Sequence, residues 1–303
     1  MAAIEVHQIS KSSGETKAVK DMSFNVNDGE LFGLIGPDGA GKTTLIKILV
    51  TLQKPDSGSA KVDGQDVVSG YHHIRNIIGY MPGKFALYQD LSIEENMSFF
   101  ADIFGTKIEE QMELMGDIYK QIEPFKKRKA GQLSGGMKQK LALCCALIHK
   151  PKILVLDEPT TGVDAVSRRE FWDMLSHIKK QGISILVSTP YMDEAARCDR
   201  IALVQEGSII ALDTPKGIIK DFAHPIFGIK GDNNYHLIEE LKNMPGLRSL
   251  YPSGEYAHLV MDDKNQSSEE IKNYAAAKTH QKIEIEPIEA DIEDCFIEMM
   301  QHG

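Results

Sequence analysis

Two kinds of hydrophobic spacing alternate along this chain. Short apolar runs recur at 31–35, 153–156 and 183–187, each close to glycine, aspartate or proline. Runs of that length, closed by turn signals, read as strands buried on both faces of a parallel sheet. Between the first two runs, over about 92–150, the spacing becomes helical. There Ile93, Met97 and Phe100 fall on one face, as do Met112, Met115 and Tyr119. This stretch is expected to form a helical subdomain inserted into a sheet domain. A helix over 167–180 then joins the strands 153–156 and 183–187 in βαβ alternation. Residues 4–35 read as short strands with turns between them, one of them over 19–26 and ending at Asn27-Asp28-Gly29. A turn is expected at 55–59 before a strand at 60–64, and a strand at 77–82 stops at Pro82. Residues 199–204 and 208–212 read as a hairpin across Glu206-Gly207.

Beyond Pro215 the character shifts. Strands are expected at 226–230, 247–251, 257–261 and 282–285, and helices at 235–242, 268–277 and 292–300. A β-α-β-β-α-β order with a closing helix predicts a small α+β domain of ferredoxin-like type. The expected domains are therefore 1–215, with the helical subdomain at about 90–150, and an extension at 216–303 with a regulatory or dimerising role.

The chain has 303 residues and a formal net charge of −10. That length allows one full α/β domain and something smaller. An acidic balance argues against nucleic acid as the main partner, so none is expected. The basic run at 126–129 reads as a solvated loop. No apolar run reaches the roughly 20 residues of a membrane span, and residues 1–6 lack the layout of a signal peptide. The expected compartment is the cytosol. Of four cysteines, Cys144 and Cys145 lie in an apolar helical run and are expected to pack as small hydrophobes.

Chemistry enters at Gly36-Pro37-Asp38-Gly39-Ala40-Gly41-Lys42-Thr43-Thr44, which follows the strand 31–35 and opens a helix. This is a G-x-x-x-x-G-K-[ST] phosphate loop in the context that gives it meaning. Glycines let backbone N–H groups curl around an anion, and the helix N-terminus adds unpaired donors. Lys42 can then reach the β- and γ-phosphates of ATP, and Thr43 can ligate magnesium.

Two further motifs narrow the class. One is Leu133-Ser134-Gly135-Gly136-Met137-Lys138-Gln139, opening an apolar helix; the other is Ile153-Leu154-Val155-Leu156-Asp157-Glu158-Pro159, about 110 residues after the phosphate loop. In this order and spacing the trio resembles the nucleotide-binding cassette of ABC proteins, over about residues 4–215. The resemblance implies a P-loop α/β cassette with a mixed sheet core and an inserted helical subdomain. It implies that Asp157 is the Walker B acid holding magnesium with Thr43, and that Glu158 is the general base or water-orienting carboxylate. It implies that Ser134, Gly135, Gly136 and Gln139 form the signature that grips the ATP of an opposite cassette. Thr161-Gly162-Val163-Asp164 fits the D-loop, which touches that partner.

Three family positions are altered. The Q-loop glutamine is replaced by Gly83, and the H-loop histidine by Pro190; the adenine-stacking aromatic falls at Ser12 or Ser13. Donors aimed at a transferring phosphoryl group are worth on the order of 10²–10³ in rate each, so this chain's own site is expected to be slow. Substitution by water or neighbouring side chains is the alternative. The loop sequence, the signature and Ser188-Thr189-Pro190-Tyr191-Met192-Asp193-Glu194-Ala195 are similar to the degenerate N-terminal half of tandem ATPases serving ABC-2-type exporters. Residues 288–296 are similar to the closing segment of drug-resistance ATPases of the daunorubicin type.

The resemblance implies an ATP-hydrolysing subunit, peripheral on the cytoplasmic face of the inner or plasma membrane. It would pair with itself or with a second cassette and drive ABC-2-type permease subunits near residues 85–90. The alternatives are a regulatory module that binds ATP with little turnover, and a soluble ABC ATPase not linked to transport.

Overall fold

A computed structural model describes residues 2–262, 267–277 and 283–302. The chain divides into two compact units, Met1–Pro215 and Lys216–Gly303.

The first unit opens with two long strands, β1 (Ala2–Ser13) and β2 (Thr16–Asn27), paired antiparallel. Strand β3 (Leu31–Ile35), buried at every residue, runs into the phosphate loop and helix α1 (Lys42–Leu49). Then come β4 (Ser57–Val62), the two-residue β5 (Gln65–Asp66), helix α2 (Tyr71–Ile77) and β6 (Ile78–Met81). The expected turn at 55–59 thus already becomes strand at Ser57, because β4 pairs with β1 as far as Ser10↔Ser57. Helix α2 is short and buries only Ile74, too little periodicity to be legible in sequence. The inserted helices are α3 (Ile93–Phe104), α4 (Met112–Ile122) and α5 (Gly135–Leu147). Ser92 starts α3 through a capping box with Glu95. Strand β7 (Ile153–Asp157), α6 (Ala165–Lys180), β8 (Ser184–Thr189), β9 (Arg200–Gln205) and β10 (Ser208–Asp213) complete the unit.

Two sheets result. One has the order β2-β1-β4-β5 and the other β10-β9-β3-β8-β7-β6. In the larger sheet every neighbour pair from β9 to β6 is parallel, and the β9–β10 hairpin makes it mixed. Helix α1 lies between the sheets. Its Leu45, Ile46, Ile48 and Leu49 share one core with Ile4, Val6 and Ile9 of β1 and Ile153 and Val155 of β7. Alternation along β7 turns Leu154 and Leu156 to the opposite face.

The parallel register decides where chemistry gathers. Met81 pairs with Leu156, Asp157 with Ser188, and Ile35 with Thr189. The carboxyl ends of β6, β7, β8 and β3 therefore end level with one another. Ligands of open α/β sheets bind outside such ends.

The second unit contains α7 (Pro215–Lys220), β11 (Ile226–Lys230), α8 (Asn234–Leu241), β12 (Leu247–Ser253), β13 (Tyr256–Met261), α9 (Ser268–Ala276), β14 (Glu284–Pro287) and α10 (Ile292–His302). Its sheet, β12-β13-β11-β14, is antiparallel throughout, and α8 and α9 cover one face around Ile229, Leu237, Leu241, Leu259 and Ile271. The β-α-β-β-α-β order and the closing helix agree with the expected topology. Lys282, placed in the last strand from sequence, lies outside the described residues.

Phe32 is fully buried and stacks on Phe24 with ring centroids 5.2 Å apart. Truncating it removes a large buried ring from between the two sheets. Phe32→Ala is expected to cost about 3–5 kcal/mol. The single tryptophan, Trp172, is 2% exposed in α6 and reports the loss as a lower denaturant midpoint of its fluorescence transition.

Candidate functional site: a nucleotide cradle at the carboxyl ends of the parallel strands

The phosphate loop leaves β3 with Gly36 N–H donating to the Thr189 carbonyl at 3.2 Å. The glycines at its two ends answer a packing demand. A Cβ on Gly36 would lie 2.1 Å from the Val204 carbonyl oxygen. A Cβ on Gly41 would lie 2.2 Å from the Ala18 carbonyl oxygen, and Gly41 also has φ of 99°. Gly41 caps α1 with no side-chain hydrogen bond to its first turn. The first N–H groups of such a helix have no intrahelical partners, and the macrodipole is positive there, which favours an anion. Pro37, Asp38 and Gly39 form the exposed tip of the loop, Ala40 is buried, and Thr44 is half-buried in the first turn.

Lys42 is 3% exposed, and its Nζ donates to the carbonyls of Gly36 at 2.7 Å and Pro37 at 2.9 Å. Glu158 Oε1 lies 3.3 Å from the same nitrogen. Thr43 Oγ1 donates to Asp157 Oδ1 at 3.1 Å, and Ser188 Oγ donates to that same oxygen at 2.7 Å. Loop and β7 acids, about 110 positions apart in sequence, thus form one cluster. Glu158 has φ of 50°, a left-handed conformation uncommon outside glycine. Its N–H is tied to both the carbonyl and the hydroxyl of Ser188 at 3.1 Å, which holds the strained turn. Ser188 carries no chemistry of its own in the sequence reading. Its signal was a hydroxyl inside a fully buried strand, where polar atoms need partners.

Ser134, Gly135 and Gly136 lie elsewhere. Ser134 caps α5 by accepting from Met137 N–H. A Cβ on Gly135 would sit 3.5 Å from the Gly162 carbonyl oxygen, and one on Gly136 would sit 2.7 Å from Ser167 Oγ. The glycine turn therefore packs on the segment around Asp164, and Ser134, Gly135 and Asp164 are all exposed. Asp164 caps α6, accepting from the N–H groups of Val166 and Ser167; the Ser167 bond foremost holds its carboxyl below the usual range. Gln139 and Gly83 line a groove of about 460 Å³ with Phe85, Leu87, Phe100 and Phe104.

The family model for the ABC transporter matches residues 19–161. The probable multidrug ABC transporter ATP-binding protein YbhF of Escherichia coli is 37% identical over 287 residues, 93% of this chain and 49% of that protein. This chain thus spans about half the length of that relative. The Nod factor export ATP-binding protein I of Burkholderia thailandensis is 35% identical over 303 residues, 99% of this chain and 97% of that protein. The chain belongs to the ABC transporter family. It carries an ATP-binding cassette. Among solved structures, an ATP-binding subunit of an ABC transporter superposes with a TM-score of 0.66 at 29% identity, covering 73% of this chain and 93% of that one. The cbiO1 protein of Clostridium perfringens, part of the ABC transporter complex cbiONQ, gives 0.65 at 26% identity, covering 80% and 96%.

Against that family background, Gly83 lies beside Asp157. A Cβ built on it would be 3.0 Å from the Asp157 carbonyl oxygen and 3.8 Å from Asp157 Cγ. Tyr80, one strand position before Met81, has its hydroxyl pushed up to about 12 by burial and by the Asp157 charge. Pro190 follows β8 directly and is half-buried. Ser12 and Ser13 end β1.

Lys42→Ala removes a buried cation and leaves Glu158 without its partner. ATP affinity measured by calorimetry is expected to fall roughly 100-fold, about 3 kcal/mol. Gly41→Ala is expected to lose ATP binding and also to lower the unfolding midpoint, because the carbonyl of Ala18 cannot retreat without breaking β2.

Proposed function

We propose that this chain is the ATP-binding subunit of an ABC-type exporter, binding Mg-ATP between itself and a second cassette to drive ABC-2-type membrane subunits. The observation that carries the reading is the single cluster of Lys42, Thr43, Asp157 and Glu158 at level strand ends. Magnesium fits the donor set. Thr43 Oγ1 and Asp157 Oδ1 are 3.1 Å apart. Adjacent oxygens of an octahedral site with bonds of 2.0–2.1 Å stand about 3 Å apart. When bound, magnesium would screen charge on the phosphates. Lys42 would bind the β- and γ-phosphates, and Glu158 would orient or deprotonate the attacking water.

Ser134, Gly135 and Asp164 are exposed, with the half-buried Gly136 beside them, and would be offered to a partner's ATP; Gln139, expected from sequence in the same group, is half-buried and lines the groove beside Gly83. The groove beside Gly83, lined by Phe85, Leu87, Phe100 and Phe104, is where a membrane subunit would dock. Tyr88, 50% exposed, and Ile103, 59% exposed, are apolar positions of the same loop and helix. Among the described residues no helix is long and apolar enough to cross a membrane; on this reading the pore is supplied by the membrane subunits. On this reading the chain sits on the cytoplasmic face of the membrane, and the family likeness supports that placement. The second unit would serve regulation or dimerisation.

A second reading is favoured by two positions. Gly83 offers no side chain beside Asp157, and Pro190 offers neither side-chain donor nor N–H. On that reading the chain binds ATP mainly to complete the partner's site.

One experiment separates the two. Glu158→Gln in the reconstituted exporter is expected to abolish the turnover contributed by this chain's site while ATP remains bound. Assembly turnover that persists unchanged favours the regulatory reading. Restoring both donors with Gly83→Gln and Pro190→His is expected to raise turnover of the isolated chain at least about tenfold. The gain is read by phosphate release, after Asp157 has shifted by a few tenths of an ångström to admit the new Cβ. An unchanged rate means that other groups already supply the lost contacts.

A further inference from the structure

Glu194 is a buried carboxylate with no role in the chemistry so far. It is 3% exposed and lies in the short 3₁₀ turn Met192–Arg197, just beyond Pro190. Burying a carboxylate costs several kcal/mol unless its lone pairs are met. Here each oxygen accepts from a buried threonine: Thr160 Oγ1 donates to Oε1 at 2.9 Å, and Thr189 Oγ1 donates to Oε2. Arg168 Nε stands 3.8 Å away, while its other end holds Asp193 at 3.0 Å and its guanidinium covers the Tyr191 ring at 4.8 Å. Two hydroxyls donate to this group, and a guanidinium stands beside it.

Both threonines lead back to the ATP site. Thr160 is two residues beyond Glu158, and Thr161 N–H closes the intervening turn onto the Glu158 carbonyl at 3.3 Å. Thr189 offers its carbonyl to Gly36 N–H, the first residue of the phosphate loop, at 3.2 Å. Its hydroxyl also accepts from Tyr191 N–H at 3.1 Å, which spans Pro190. One carboxylate therefore clamps the turn that aims Glu158 and the strand end that anchors the loop.

We propose that Glu194 is a positioning residue for ATP cleavage: it holds Glu158 and the phosphate loop in mutual register from behind, across the position that Pro190 leaves without a donor. The inference rests on the ATPase reading of the site. A misplacement of about 1 Å at a reacting group can cost 10²-fold in rate without loss of ground-state binding. Removing the clamp should therefore slow cleavage more than it weakens binding.

The test uses the full chain with Mg-ATP. Glu194→Gln keeps the volume but leaves one acceptor where two hydroxyls donate. Thr160→Val keeps the shape and removes one donor. Single-turnover cleavage is expected to slow at least about tenfold in each, with ATP Kd by calorimetry within twofold of wild type, while the thermal midpoint falls only by what one lost buried hydrogen bond costs. The double variant is expected to be no slower than the slower single, since both cut one linkage. Cleavage at the wild-type rate in both singles overturns the proposal. So does a slowing matched by an equal loss of ATP affinity, which marks a merely structural carboxylate. A wild-type chain that binds ATP without cleaving it overturns the positioning role and leaves the binding site standing. A wild-type chain that binds no ATP overturns the site reading itself.

Discussion

Parallel hydrogen bonding among β6, β7, β8 and β3 is the constraint on which the rest of the structure depends. It brings Met81, Asp157, Thr189 and Ile35 to one level edge. Without that register the phosphate loop and the two acids would be separate surface features. With it, Lys42 and Glu158 lie 3.3 Å apart, and Thr43 hydrogen-bonds Asp157. Parallel strands need long crossovers, and these crossovers are where the helical insert and α6 find room. The register is itself held by burial. Strands β3, β7 and β8 have no exposed residue, so a slip would have to move the whole apolar set.

Charge inside this edge is managed by short, dense hydrogen bonding. Lys42 is met by two carbonyls and a carboxylate, Asp157 by two hydroxyls, and Glu194 by two more. Each such group would be costly if left alone. Together they form a polar wall along the carboxyl edge of an otherwise apolar sheet. The strained Glu158 turn sits in the middle of that wall, held by Ser188 on one side and by the Glu194 clamp on the other. Strain of this kind persists only where the surroundings over-determine it.

Much was legible in the chain itself. The runs at 31–35, 153–156 and 183–187 announced buried strands because no polar face is needed in a doubly covered sheet. Glycine spacing and Lys42 announced a phosphate loop because that pattern lets backbone N–H groups converge on an anion. The βαββαβ order of the second unit was readable from turn residues and alternation. Less legible were α2, with one buried side chain, and the strand character of Ser57, which pairs with Ser10 across a bulge. Neither has a local signature; each exists because a distant strand or core covers it.

Sequence alone determined the class of this protein, because the ATP-binding motifs act through their own backbone and need only local order to be recognised. Gly83 and Pro190, which stand where the family resemblance implies a glutamine and a histidine, were equally legible as residues without a side-chain donor. Only the tertiary structure decided that Ser188 joins Asp157 to the Glu158 turn, that Glu194 ties Thr160 to Thr189, and that a side chain at Gly83 would meet Asp157. Those relations join residues about 30 to 75 positions apart along the chain. They come into being when strands align, and pairing at that range leaves no periodic trace in a single sequence.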